Sequence, residues 1–168
     1  MKKSRAALGL TALLWAWTMT ACGGAVNDAE NRAAAGGSGA FFPAVSAPYT
    51  IEQAVENGDV VNVHGSYTNM DQWQSFLTNV ASGQPDHVRI TQYTTEGDPI
   101  FYELVYDGRQ LTYTFDNALD GFGVDQERPS TVCSGFERQT IGSAEGVVLA
   151  GCASPETGRT FWFADGHP

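Results

Sequence analysis

The pair Asp107-Gly108, set between alternating apolar and polar residues on both sides, is the feature that most narrows the fold. Both central positions of a type I′ turn need positive φ, which Asp tolerates and Gly adopts freely. The pair therefore predicts a hairpin with a two-residue loop. That loop sets Leu104 opposite Leu111, Tyr102 opposite Tyr113 and Ile100 opposite Phe115, with Glu103 facing Thr112 on the other side. A slip of one residue would oppose Leu104 to a polar side chain, so the alternation supports the register. Upstream, a three-residue loop Glu96-Gly97-Asp98 places Val88 opposite Tyr106, Ile90 opposite Leu104 and Gln92 opposite Tyr102. An even-length loop would turn Arg89 into the same core, so the apolar positions select an odd one. The product is an antiparallel three-stranded meander with one face left for helices.

Other elements follow from local signals. Thr50 and Gln53 form a capping box that opens a short helix through Asn57, stopped by Gly58. Val60, Val61 and Val63 make a short strand ending at Gly65. Asn69 caps a second helix in which Met70, Trp73, Phe76, Leu77 and Val80 fall on one face, and Gly83 and Pro85 close it. Gly142-Ser143 suits a type II′ turn, and a two-residue loop there sets Cys133 opposite Cys152. Thr160 to Ala164 is a last short strand. The expected architecture is α+β: an antiparallel sheet of about six strands with one or two N-terminal helices packed on one face.

The N-terminus reads as a leader. Lys2, Lys3 and Arg5 precede an apolar run from Ala6 to Trp17, which is too short to span a bilayer comfortably, and small residues follow. The run Met19-Thr20-Ala21-Cys22 resembles the lipobox of bacterial lipoproteins, in which the chain is cut before a cysteine that carries acyl chains such as palmitate. This divides the chain into a signal peptide at 1–21, a Gly- and Ala-rich tether at 22–47 from lipidated Cys22, and one domain at 48–168. The expected location is the extracytoplasmic face of the cell membrane, held by the lipid. An ordinary secretory signal, with Cys22 a free thiol, is the plainer alternative. Cys133 and Cys152 remain as an even pair in an oxidising compartment, so a disulfide is expected.

Charge then excludes several functions. Beyond the leader six arginines face nineteen acids, a balance of −13 with no lysine. A surface that tracks phosphates needs clustered Lys and Arg, so nucleic-acid binding is excluded. Lysine-based Schiff-base or general-base chemistry is excluded with it.

Two segments carry a resemblance. Asn57-Gly58-Asp59-Val60-Val61-Asn62-Val63-His64-Gly65 and Tyr93-Thr94-Thr95-Glu96-Gly97-Asp98-Pro99-Ile100 resemble signature segments of a family of small Gram-positive lipoproteins catalogued as a domain of unknown function. The Tyr106-Asp107-Gly108 turn, the strand end at Tyr113 to Asn117 and the cysteine pair fit it as well. The likeness implies an anchored extracytoplasmic domain and brings no activity, substrate or catalytic residue.

Candidate chemistry is sparse. Counted from Asp116, the segment to Glu127 has acids at the first, fifth and twelfth positions (Asp116, Asp120, Glu127) and Gly121 at the sixth, as an EF-hand loop does. Ala118 and Val124 fail at the third and ninth positions, and a strand precedes the loop. It is therefore a weak calcium candidate beside the plainer reading of a solvated acidic loop. His64 with Glu96 and Asp98 could bind an ion or a ligand, but no spacing brings His64 to that loop. G-x-S-x-G is absent and both mature cysteines are expected to be oxidised, so no nucleophile stands out. No cofactor is implied. Tyr93, Phe101, Phe136, Trp162 and Phe163 cannot all face one side of a single sheet, so either a second layer covers them or some form a binding patch. The reading is a non-enzymatic binding or interaction module for a protein, peptide or small ligand, with basic or cationic partners favoured. The alternative is a cation-dependent envelope enzyme or calcium-binding protein using the 116–127 loop.

Overall fold

The computed structural model describes residues 41–124 and 126–164. It is an α+β fold in which a six-stranded mixed sheet and a separate three-stranded sheet combine with three short helices. The capping box forms: the Thr50 hydroxyl accepts from the Gln53 amide at 3.3 Å, and the Gln53 side chain accepts from the Thr50 amide at 2.9 Å. Helix α1 (Ile51–Glu56) ends at Asn57, followed by Gly58 at φ 81°. Helix α2 (Met70–Ala81) buries Trp73 and Phe76 completely and Met70, Leu77 and Val80 in part, which is the stripe its spacing predicts. Asn69 departs from expectation. It holds the cap position in left-handed backbone and its side chain makes no cap bond. Its side-chain amide instead donates to the carbonyls of Val55 and Asp59, tying the start of α2 back to the end of α1 and to Asp59.

The meander is present, and both registers differ from expectation by two residues. Strands β3 (Asp86–Tyr93), β4 (Pro99–Tyr106) and β5 (Leu111–Asp116) run antiparallel. Leu104 pairs with Tyr113 and Tyr102 with Phe115, in place of Leu111 and Tyr113. The loop spans Asp107 to Gln110 because the Asp107 carboxylate accepts the amides of Arg109 and Gln110, both at 2.8 Å, and closes a wider turn. Likewise Val88 pairs with Leu104 and Ile90 with Tyr102, and the loop runs from Thr94 to Asp98, closed by the Thr94 amide on the Asp98 carbonyl. A shift of two keeps every side chain on its face. Val88, Ile90, Leu104, Leu111 and Tyr113 therefore share one core, as the odd loop requires.

Strand β1 (Val60–Val63) lies parallel to β3, with Val60 beside Ile90 and Val63 beside Tyr93, where antiparallel pairing was expected. A parallel neighbour needs a long crossover, and α2 supplies it. His64 and Gly65, both at positive φ, turn β1 into strand β2 (Ser66–Thr68), which the sequence reading left out. The helices do not share a face. The α2 side is completed by strands β7 (Gly135–Ile141), β8 (Ala144–Ala150) and β9 (Trp162–Ala164), which with Phe161 just before β9 bring Phe136 and Phe163 onto Trp73 and add Val147 to the same core. On the other side α1 and residues from Phe42 onward cover Val61, Tyr93 and Phe101. Two covering layers thus account for Tyr93, Phe101, Phe136 and Phe163, while Trp162 belongs to neither core and is half-buried on the small sheet.

In the small sheet Ile141 pairs with Ala144 and Gly135 with Ala150, the register that the two-residue Gly142-Ser143 loop predicts. Strand β6 (Ser130–Cys133) pairs with β5 and leads into this hairpin, and Cys133 is bonded to Cys152. A short helix α3 (Pro155–Gly158), capped by the Ser154 hydroxyl, returns the chain to β9.

Candidate functional site

Because β1 and β3 are parallel and in register, their C-terminal ends leave the sheet side by side. The residues just beyond them therefore meet. A groove of about 460 Å³ opens there, lined by 48–52 before and within the first turn of α1, by Val63 and His64, and by 93–97. The pairing brings together His64 and Glu96, which no local spacing could relate. It leaves out Asp98, whose carboxylate accepts the Gly121 amide at 2.9 Å and ties two loops together. Glu52, not singled out by the sequence reading, takes its place in the lining.

The floor and the rim differ chemically. Tyr49 and Tyr93 are buried, and the Tyr93 hydroxyl donates to the Tyr49 carbonyl at 3.0 Å, so the floor is fixed. Glu52, His64 and Glu96 are exposed. The Thr95 hydroxyl donates to Glu96 at 2.8 Å and, with the Glu96 amide, holds its pKa below the ordinary glutamate range. Glu52 is lowered as well, first by its own amide and then by the Thr50 hydroxyl. Both carboxylates are thus ionised at neutral and mildly acidic pH, over an aromatic and aliphatic base.

A second arrangement went unseen in the sequence. Arg89 lies under the α1 side of the sheet, donating from Nε to Asp59 at 2.9 Å, from Nη1 to the Pro43 carbonyl at 2.9 Å and from Nη2 to the Tyr49 hydroxyl at 3.1 Å. Its guanidinium carbon stands 5.4 to 5.7 Å from the ring centres of Phe42, Tyr49 and Phe101. Glu103, its cross-strand partner, lies 3.6 Å from Nη1 and also accepts from Arg128, which in turn donates to Asp116. The available signal was the opposite charge of Arg89 and Glu103 on neighbouring strands. This network is structural: it fastens residues 43–49 over the sheet, and those residues carry part of the groove wall.

The 116–127 loop does not gather its acids. Asp116 is buried against Arg128, 2.8 Å from Nε, and its other oxygen accepts the Ala118 amide. Asp120 accepts the Phe122 amide within its own turn, and Glu127 is exposed. Among the described residues no group of three or more His, Cys, Asp or Glu side chains is placed to hold a metal ion. The same loop exposes Phe122 and Val124, at 78% and 83%. Cys22 lies outside the described residues. No helix among those described is long and apolar enough to cross a membrane.

No curated protein and no solved structure matches the chain. One family does: its model, described as "Domain of unknown function (DUF4362)", matches residues 57–142, from the end of α1 to the turn after β7, just over half of the chain. The chain belongs to that family.

Proposed function

We propose that this chain is a lipid-anchored extracytoplasmic binding module, held to the membrane through Cys22 and binding a partner in the groove beyond β1 and β3. The lipobox-like run Met19 to Cys22, and the resemblance to small Gram-positive lipoproteins, support the anchor. The groove carries the binding reading. It is concave, built by three separate segments on a fixed aromatic floor, and its polar side chains face outward. Apolar clefts with a few placed polar groups are the usual seats of ligands. A few polar side chains set around an aromatic floor support binding as the role.

A photo-crosslinking residue at Thr95, inside the groove, should give a discrete adduct in intact cells, while the same residue at Thr140 on the β7–β8 hairpin should not. Adducts of equal yield from both positions, or none from Thr95, would overturn the groove as binding face. Cys22→Ala should move the chain out of the membrane fraction or halt its maturation. A variant still fully membrane-bound would remove the lipid from the reading.

A further inference from the structure

The groove is selective in charge as well as shape. Its floor is formed by Tyr49, Tyr93 and Val63, Ile51 adds an apolar edge that is 40% exposed, and Glu52, Glu96 and the His64 ring stand at the rim. No lysine or arginine lines it. Two arginines of the fold are already committed, Arg89 to Asp59 and Arg128 to Asp116 and Glu103. We propose that the groove takes a lysine or arginine side chain presented by an extended segment of a basic protein partner, an inference that rests on the groove being the binding face. Such a side chain is apolar along its stem and charged at its tip. The stem lies on Ile51 and the tyrosine floor, and the tip reaches Glu52 and Glu96. The acidity of the whole chain, with nineteen acids against nine basic residues, draws the same partner from a distance.

The test titrates the full chain in detergent micelles with a capped pentapeptide, Ala-Ala-Lys-Ala-Ala, and with its norleucine counterpart, which keeps most of the stem and lacks the ammonium. Binding is read from amide chemical shifts at residues 94–97. The lysine peptide should shift these amides, bind about tenfold more tightly than the norleucine peptide, and lose about that factor in the Glu52→Gln/Glu96→Gln variant. Both glutamates are fully exposed to solvent, so the variant keeps its fold, checked by unchanged shifts elsewhere. A Glu137→Gln/Glu145→Gln variant on the β7–β8 hairpin should leave binding unchanged. Equal binding of the two peptides at 94–97 would overturn the cationic occupant and keep the groove. No shift at 94–97 with either peptide would overturn the groove itself. Equal weakening by both double variants would reduce the attraction to the charge of the whole molecule.

Discussion

Arg89 and Asp59 meet beneath the α1 side of the sheet, 2.9 Å from Nε to Oδ1, with both side chains 2% exposed. Every remaining partner is in place: Thr91 and Tyr49 donate to the second oxygen of Asp59 at 2.6 and 2.8 Å. Charges taken out of water are tolerated because each is both paired and hydrogen-bonded. Removing one partner is a different matter. Arg89→Ala leaves Asp59 buried without its cation and Glu103 with Arg128 alone, and is expected to cost about 3–5 kcal/mol in urea unfolding. The double variant Arg89→Ala/Asp59→Ala should lose less than the sum of the singles. A loss under about 1 kcal/mol for Arg89→Ala would mean that the network is not what fastens residues 43–49 to the sheet.

That fastening bears on where the folding unit begins. The family match starts at residue 57, yet Tyr49 and Pro43 bind Arg89, and Ala54 is fully buried against the sheet. At the other end the match stops at residue 142, before β8, β9 and Cys152. A fragment of 57–142 would expose both faces of its sheet and is expected to show no cooperative urea transition, whereas 41–164 should unfold in one. A cooperative transition in the short fragment would show both flanking layers to be dispensable.

The contrast with the sequence reading has a physical pattern. The capping box at Thr50, the stripe on α2 and the Gly142-Ser143 hairpin were legible because each is decided within a few residues. Face assignment along β3 to β5 was legible too, since parity survives a shift of two. The exact registers were not, because the Asp107 side chain captures two amides and widens its turn. The parallel pairing of β1 with β3 was invisible for another reason. It joins residues thirty apart through a helix, and no local signal distinguishes it from an antiparallel neighbour. The groove inherits that invisibility, because His64 and Glu96 come to line one groove only through this pairing. Arg89 was legible only as lying off the meander's core, and its pairing with Asp59 was not, because the two are thirty residues apart.

The Asp107 turn gives a pH dependence with a definite sign. The amide of Gln110 foremost, and then that of Arg109, holds the Asp107 carboxyl below its ordinary value. A depressed pKa in the fold stabilises wherever the carboxylate is ionised, and that contribution is lost as pH falls through the folded value. Asp107→Asn should therefore be less stable than the parent by a constant margin above about pH 5, with the margin closing below about pH 4. Urea midpoints measured across that range check it. A margin independent of pH would assign the turn to hydrogen bonding without charge.

The Cys133–Cys152 bond joins the end of β6 to the link between β8 and α3, nineteen positions on, closing off the β7–β8 hairpin. Cys152 is also hemmed in, since a Cβ added at Gly158 would come within 2.7 Å of its sulfur. Closing a loop of that length removes freedom from the unfolded chain amounting to about 3 kcal/mol on the entropy model. Cys133→Ala/Cys152→Ala should lose about that much, and reduction of the parent should lose a similar amount. The effect should fall chiefly on the unfolded state. The groove, made by α1, β1 and β3 on the far side of the sheet from Trp73, should keep its amide shifts in the reduced protein. Two alkylatable thiols in the purified, unreduced chain would show that the bond does not form. A groove whose shifts collapse on reduction would show instead that the two layers depend on each other.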